Sequence, residues 1–125
     1  MNYQEMLRRK LEYATPQELL FILLTDTDTK FKNVINFWKN NDVQGTILAG
    51  RLIDNIIELK STLNTNIGNE STQLALKNID SLYEFITNEI SLASVKKDYL
   101  RLEGAYEVFL EIKSIFDTDR ANMRK

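Results

Sequence analysis

The sequence predicts an all-α protein, an antiparallel up-down four-helix bundle with a short extra N-terminal helix. Hydrophobic residues make up 43% of the 125 residues, which is enough for one core. Only four glycines and one proline interrupt the chain, and apolar side chains recur at helical spacing through four long segments. We expect a single domain over residues 1–125, with a mobile segment at 1–14, the bundle at 15–117 and a frayed tail at 118–125.

The leading segment, about 3–13, is predicted to form a short helix that is not stable by itself. Tyr3, Leu7 and Leu11 are spaced four residues apart, so a helix would place them on one face among charged neighbours. A helix this short is marginal in water and must lie on another surface.

The first long helix begins at a clear boundary. Thr15 is a capping residue, Pro16 suits the first helical turn, and Glu18 completes a capping box. The helix is predicted to reach about residue 40. Its apolar stripe comprises Leu20, Leu23, Leu24, Thr27, Phe31, Val34, Ile35 and Trp38. Phe21 and Ile22 lie outside this stripe, so a surface other than the core must shield them from water.

The second long helix, about 43–64, has two apolar faces. Asp42 is predicted to cap it. The main stripe is Leu48, Leu52, Ile56, Leu59 and Leu63, and a second set points roughly the other way: Val43, Ile47, Ile53 and Ile57. Either the helix is central and contacts neighbours on both flanks, or part of the second face is a docking surface. The sequence leaves both interpretations open.

Two more helices follow the turn-rich segment at 64–69. The third, about 71–93, is predicted to pack Ala75, Ile79, Leu82, Tyr83, Ile86 and Ile90, with Leu74, Phe85 and Leu92 to one side. Asp98 is predicted to cap the fourth, about 99–117, whose stripe is Leu102, Ala105, Tyr106, Phe109, Ile112 and Phe116, with Val108 and Ile115 behind. Short connections make successive helices antiparallel neighbours.

The residues that are absent argue against catalysis. There is no histidine and no cysteine, which removes the usual general base, thiolate chemistry and the common transition-metal ligands. Two acidic pairs remain, Asp26/Asp28 and Glu107/Glu111. Asp28, Glu107 and Glu111 point away from the stripes and are expected to be solvated, whereas Asp26 lies near a stripe's edge. We predict that the protein is not an enzyme and has no cofactor or metal.

The charge balance gives no electrostatic reason to expect two further classes of partner. Sixteen Lys and Arg against eighteen Asp and Glu give a net charge of −2, so neither nucleic acid nor an anionic membrane is an expected partner. No apolar run approaches the roughly 20 residues that span a bilayer, and the first residues do not read as a signal peptide. The lack of cysteine fits a reducing cytosol, where disulfides are rare, but does not by itself establish that location.

Protein binding is the function that the apolar surplus favours. The off-stripe residues are Phe21, Ile22, Ile53, Ile57, Phe85, Val108 and Ile115. Burying such a side chain is worth about 1.5–3 kcal/mol, so a few together could hold a helix or an extended segment of a partner. Surplus apolar surface could instead close a homodimer.

Local signatures along the chain, taken in order, resemble the FliS family of flagellar secretion chaperones. They are the Tyr-containing leader, Thr15-Pro16-Gln17-Glu18-Leu19, the second helix from Asp42, Glu58-Leu59 to Leu63-Asn64, Leu82-Tyr83-Glu84-Phe85, and Ala93-Ser94-Val95-Lys96-Lys97-Asp98. The resemblance covers about 15–117. Leu23-Leu24-Thr25-Asp26 departs from the family's Leu-Tyr-Asp-Gly, and Phe116 replaces a usual tryptophan.

The resemblance implies a bacterial cytosolic chaperone. It implies that the bundle holds the disordered C-terminal segment of flagellin, prevents premature polymerisation and keeps flagellin competent for flagellar type III export, with export apparatus components as further partners. Carried over, Tyr3 and Leu7 would cap part of the surface in the free protein. Helical phase adds Phe21, Ile53, Ile57 and Phe85 as predicted partner-binding residues. The alternative is a helical adaptor or self-associating bundle with an unrelated protein client; the chain would be a monomer or a weak homodimer.

Overall fold

Four helices make up the computed structural model, which describes residues 16–63, 66 and 68–123. They are α1 (Pro16–Lys39), α2 (Gln44–Ser61), α3 (Glu70–Lys96) and α4 (Tyr99–Met123). No strand occurs within these described ranges, so the all-α prediction is confirmed there. The predicted leading helix at 3–13 and the Thr15 cap lie outside the described residues.

The four helices surround one core. Each helix contacts the next along the chain, and α4 also contacts α1, which closes the ring. The buried apolar side chains come from all four helices: Leu24, Phe31, Val34, Ile35 and Trp38; Ala49, Leu52, Ile56 and Leu59; Ile79, Tyr83, Ile86, Ile90 and Ala93; Leu102, Ala105, Phe109 and Ile112. The main stripes predicted for the first, second and fourth long helices therefore face this core or pack against it.

Polar side chains begin three of the helices. Asp42 Oδ1 accepts a hydrogen bond from the backbone N–H of Gln44 at 2.9 Å, although Val43 is the residue that immediately precedes α2. Asn69 Oδ1 accepts from the N–H of Thr72 at 2.9 Å, and Asp98 Oδ1 accepts from the N–H of Arg101 at 3.1 Å. Each bond satisfies an N–H that has no partner inside its helix.

Two helices extend beyond their predicted ends. α3 continues to Lys96 rather than ending at 93, and Lys97 then takes a left-handed conformation with φ of 54°. The N–H of Asp98 returns to the carbonyl of Ala93 at 2.9 Å, which closes the helix without a glycine. α4 runs to Met123, so its predicted end at 117 was too early. The wider division of the chain into segments stays a prediction.

Two residues assigned to the core of the third helix are exposed instead. Ala75 lies within two turns of the start of α3, before its first buried residue, Ile79. Leu82 lies one residue before Tyr83, which rotates it about 100° away from that buried side chain, and 37% of it is exposed. These two predictions were wrong because the buried face of α3 is narrower and starts later than the apolar pattern.

The turn between α1 and α2 is held by a close aromatic contact. Trp38 is almost fully buried, and its Nε1–H donates to Thr46 Oγ1 at 3.2 Å. A Cβ atom at Gly45 would lie 2.6 Å from Trp38 Cδ1. Glycine is therefore required here by the approach of the indole ring.

None of the helices in the described part of the chain is both long enough and apolar enough to cross a membrane.

Candidate partner-binding surfaces

The outer face of α2 keeps most of its apolar side chains in contact with solvent. Val43, Ile47 and Ile57 are each more than half exposed. Ile53 differs, because it is half-buried and packs against the core. Neighbouring helices therefore cover only Ile53 of the second apolar set, and the central-helix interpretation does not account for the other three.

A second exposed apolar stripe runs along α3. It consists of Leu74, Phe85 and Leu92, which we call the α3 strip, and all three are about half exposed or more. Their spacings of eleven and seven residues place them on one side of the helix. Glu89 lies near the same side and is ion-paired with Arg101 of α4, with Oε2 and Nε 2.7 Å apart. The α3 strip therefore lies on the side of α3 that is next to α4.

α4 contributes its own apolar side chains on the side that faces α3. Val108 is half-buried and Ile115 is half exposed, and both lie near the face of α4 that carries Arg101. Gly104 is exposed, and a Cβ there would meet nothing within 4 Å. The α3 strip with Val108 and Ile115 forms one elongated apolar surface, which we call the α3/α4 face.

Helical phase places the four predicted partner-binding residues in the described structure along different grooves. Ile53 and Ile57 are one turn apart on α2, on the side that carries Lys60, whose Nζ lies 3.2 Å from Asp80 Oδ1 of α3. Phe85 belongs to the opposite side of α3. Phe21 is half-buried on the side of α1 that faces α4.

The two remaining predicted residues, Tyr3 and Leu7, lie outside the described residues. Helical phase thus pairs Ile53 with Ile57 and separates that pair from Phe85 and Phe21. A partner that contacted all four would have to wrap around the bundle.

A groove between α1 and α4 was not anticipated from the sequence. It is open to solvent, has a volume of about 490 Å³ and is lined by Lys32, Ile35, Asn36, Lys39, Glu103, Tyr106, Glu107 and Leu110. The apolar floor has a charged rim, where Lys39 Nζ lies 3.2 Å from Glu103 Oε1 and 5.7 Å from the centre of the Tyr99 ring. The available signal was Leu110, an apolar residue outside the predicted α4 stripe.

The acidic residues of α1 serve as contacts between helices. Asp26 is ion-paired with Lys30 and accepts from Asn55 Nδ2 of α2 at 3.0 Å. Partial burial would raise the pKa of Asp26, but the hydrogen bonds from Lys30 and Asn55 outweigh it and lower that pKa. Asp28 accepts a hydrogen bond from the Tyr106 hydroxyl of α4. The expectation that Asp28 is simply solvated was therefore wrong.

The tyrosine of α4 that contacts Asp28 is affected by the same interaction. Burial and the hydrogen bond to Asp28 both raise the pKa of Tyr106. The side chains are occupied in joining α1 to α2 and α4. Among the residues that the structure describes, no cluster of three or more acidic side chains could hold a metal ion.

The core contains a buried tyrosine hydroxyl. Tyr83 is fully buried, and its hydroxyl has no hydrogen-bond partner among the described residues. Burial raises the pKa of Tyr83 well above its ordinary value near 10. It lies on the inner face of α3, opposite in direction to the α3 strip.

Comparison with known proteins places the chain in a family. A family model described as "Flagellar protein FliS" matches residues 1–122. The chain belongs to the FliS family. The family expected from the local signatures is thereby confirmed, including over the leader that precedes the described residues.

A relative in the same family is the flagellar secretion chaperone FliS of Vibrio cholerae serotype O1 (strain ATCC 39315 / El Tor Inaba N16961). It is 38% identical over 78 residues, which cover 62% of this chain and 54% of the relative. The matched region thus spans about half the length of that FliS protein. No solved structure gives a significant match.

Proposed function

We propose that this FliS-family protein is a cytosolic chaperone for flagellin. It binds the disordered C-terminal segment of flagellin, prevents premature polymerisation and keeps flagellin competent for flagellar type III export. The observation that supports this most directly is the α3/α4 face, an elongated apolar surface on the outside of a bundle whose core is already filled. Its role is binding, without catalysis or a cofactor.

The shape of the surface suits a client that folds on binding. A disordered segment loses conformational entropy when it becomes ordered, so it must bury a large apolar area to reach useful affinity. Leu74, Phe85 and Leu92 extend over most of α3, and an amphipathic helix could lay its apolar face along them.

The order of the helices supports a rigid platform of this length. We infer that successive helices run up and down in antiparallel order. Asp26, in the first half of α1, is bonded to Asn55 late in α2, and Trp38, at the end of α1, is bonded to Thr46 early in α2. Grooves between antiparallel helices run the length of the bundle, which matches an extended client.

The predicted partner-binding residues divide the client's path into separate contacts. Phe85 anchors it on the α3/α4 face, while Ile53, Ile57 and Phe21 contact parts that wrap around the bundle. Tyr3 and Leu7 cap part of this surface in the free protein. Export apparatus components are further partners of the loaded complex.

Calorimetry with a peptide of the last few tens of flagellin residues tests this proposal. We expect a one-to-one complex with the full chain. Phe85→Ser should weaken it at least tenfold, because an anchoring aromatic is lost from an apolar surface. Val95→Ser is the matched control, since Val95 is 76% exposed but lies off the α3 strip, and it should change affinity less than twofold.

Two outcomes would contradict the proposal. No heat with the native flagellin C-terminus would reject flagellin as the client. Equal losses in the two variants would reject Phe85 as an anchor. A stable dimer that the peptide neither binds nor changes would favour the helical adaptor with an unrelated client.

A further inference from the structure

A gap interrupts the α3/α4 face at Gly104, where α4 has no side chain. Gly104 is exposed within α4, and a Cβ atom added there would meet nothing within 4 Å. Apart from proline, glycine is the least favourable residue in a helix interior. Neither a left-handed backbone conformation nor a close contact among the described residues requires glycine at this position.

The register of α3 against α4 places this gap beside Phe85. Glu89 Oε2 lies 2.7 Å from Arg101 Nε, and the two-residue connection Lys97-Asp98 joins the two helices. In the antiparallel order inferred above, the turn before Glu89 on α3 lies opposite the turn after Arg101 on α4. Phe85 occupies the first of these turns and Gly104 the second.

Apolar side chains border the gap on both helices. On α3, Phe85 is 47% exposed and Leu82 is 37% exposed. On α4, Val108 lies one turn after Gly104 and is half-buried. We call the space between these three side chains and Gly104 the Gly104 notch.

The charges at the remaining end of the Gly104 notch are already compensated. Arg101 donates twice to Glu89, from Nε to Oε2 at 2.7 Å and from Nη2 to Oε1 at 3.4 Å. A charged side chain in the notch would lose water without meeting an unpaired opposite charge. A large apolar side chain would gain free energy by leaving water, so the notch fits an apolar occupant.

We propose that the Gly104 notch takes one large apolar side chain, a leucine or an aromatic residue, from the amphipathic helix of the client. This inference rests on the proposed function and adds a specificity-determining position to it. The client side chain packs against Phe85 and over the Cα atom of Gly104. Phe85 supplies the contact area, and the missing side chain at Gly104 supplies the room.

Calorimetry of the full-length chain with the flagellin C-terminal peptide tests this by filling the notch. Gly104→Leu should weaken the complex at least tenfold, because the new side chain occupies the place of the client side chain. Gly104→Ala should weaken it less than threefold, since one methyl group leaves most of the space open. Thr29→Leu is the matched control: it adds the same side chain at an exposed site on α1 and should change the affinity less than twofold.

Thermal unfolding separates filling of the notch from damage to the bundle. Gly104→Leu should raise the midpoint temperature of unfolding, because leucine is the better helix former and the space at Gly104 is open. Weaker binding by a more stable protein then reports on the surface alone.

Peptide variants identify the side chain that enters the notch. Each large apolar residue of the peptide is replaced in turn by alanine, and every variant is measured with the wild-type protein and with Gly104→Leu. One variant should lose at least tenfold in affinity for the wild type and less than threefold for Gly104→Leu, because in that protein its side chain had no place to fill. Equal losses with both proteins for every variant would overturn the proposal.

The outcomes distinguish the notch from the client proposal. If the wild type gives no heat with the peptide, flagellin is not the client and the notch is rejected with it. If the wild type binds and Gly104→Leu binds as tightly, the notch alone is rejected. Equal losses from Gly104→Ala and Gly104→Leu would also reject it, because the backbone of the client rather than a side chain would then pass over Gly104.

Discussion

The two faces of α2 have similar apolar residues and opposite surroundings. Leu52, Ile56 and Leu59 are fully buried on the inner face, whereas Val43, Ile47 and Ile57 are more than half exposed on the outer face. Inner residues contribute to the stability of the monomer, because folding removes them from water. Outer residues gain most of that free energy only when another chain covers them. The apolar residues of a helix therefore include some that stabilise the fold and others that are available for binding. The burial of each residue in the structure shows to which group it belongs.

The largest effect should come from truncating the inner face. Ile56→Ala should lower the free energy of unfolding by about 2–5 kcal/mol, because it removes buried methyl groups and leaves a cavity. Ile57→Ala is the matched control one residue away, and its effect should stay within about 0.5 kcal/mol. Urea denaturation measures both, and equal losses would contradict the division between the two faces.

Two glycines repeat the comparison on a smaller scale. Gly45→Ala should destabilise the protein by about 1–3 kcal/mol, because the new Cβ would overlap the buried ring of Trp38. Gly50→Ala should stabilise the monomer by about 0.5–1 kcal/mol, because alanine is the better helix former and the space is open. Thermal unfolding at low protein concentration should show shifts of opposite sign. Shifts of the same sign would contradict this account of the turn.

Tyr83 extends the comparison to a polar group, because its hydroxyl is buried on the inner face of α3. Tyr83→Phe should stabilise the protein by about 1 kcal/mol at neutral pH, since it removes a buried hydroxyl that has no partner among the described residues.

The pH dependence of that substitution follows from the raised pKa of Tyr83. Above pH about 10 the tyrosine ionises in the unfolded chain but stays neutral in the folded protein. The free energy of unfolding is therefore unaffected by this group below that pH and falls as pH rises above it. The loss is about 1.4 kcal/mol per pH unit. Denaturation between pH 7 and 11 should therefore show a shallower alkaline loss in Tyr83→Phe; parallel curves would mean that Tyr83 does not titrate abnormally.

Much of this fold was predictable because helical periodicity and buried stripes coincide. The stripes of α1 and α4 follow from spacing alone, since residues such as Phe31 and Phe109 recur at the period of the helix and meet in the core, with ring centres 5.2 Å apart. The end of α3 was not predictable in the same way, because Lys97 adopts a left-handed conformation that glycine usually signals.

The surfaces were harder to predict. Helical phase shows which residues point away from the core, but it does not show whether a neighbouring helix covers them. Ile53 and Ile57 both lie off the stripe of α2, yet one packs against the core and the other is exposed. The prediction that Leu82 is buried was wrong for a related reason, because Leu82 lies at the edge of the buried face of α3. The roles of Tyr3 and Leu7 remain predictions, since both lie outside the described residues.

The contact between Trp38 and Gly45 has a practical consequence. The chain contains one tryptophan, and folding shields its indole from water at the junction of α1 and α2. Its fluorescence emission should therefore shift to the red when that junction opens, and a tryptophan-free ligand docked on the remote side of the bundle should leave it unchanged. The protein thus contains its own optical reporter, able to distinguish loosening of the scaffold from occupation of its exterior.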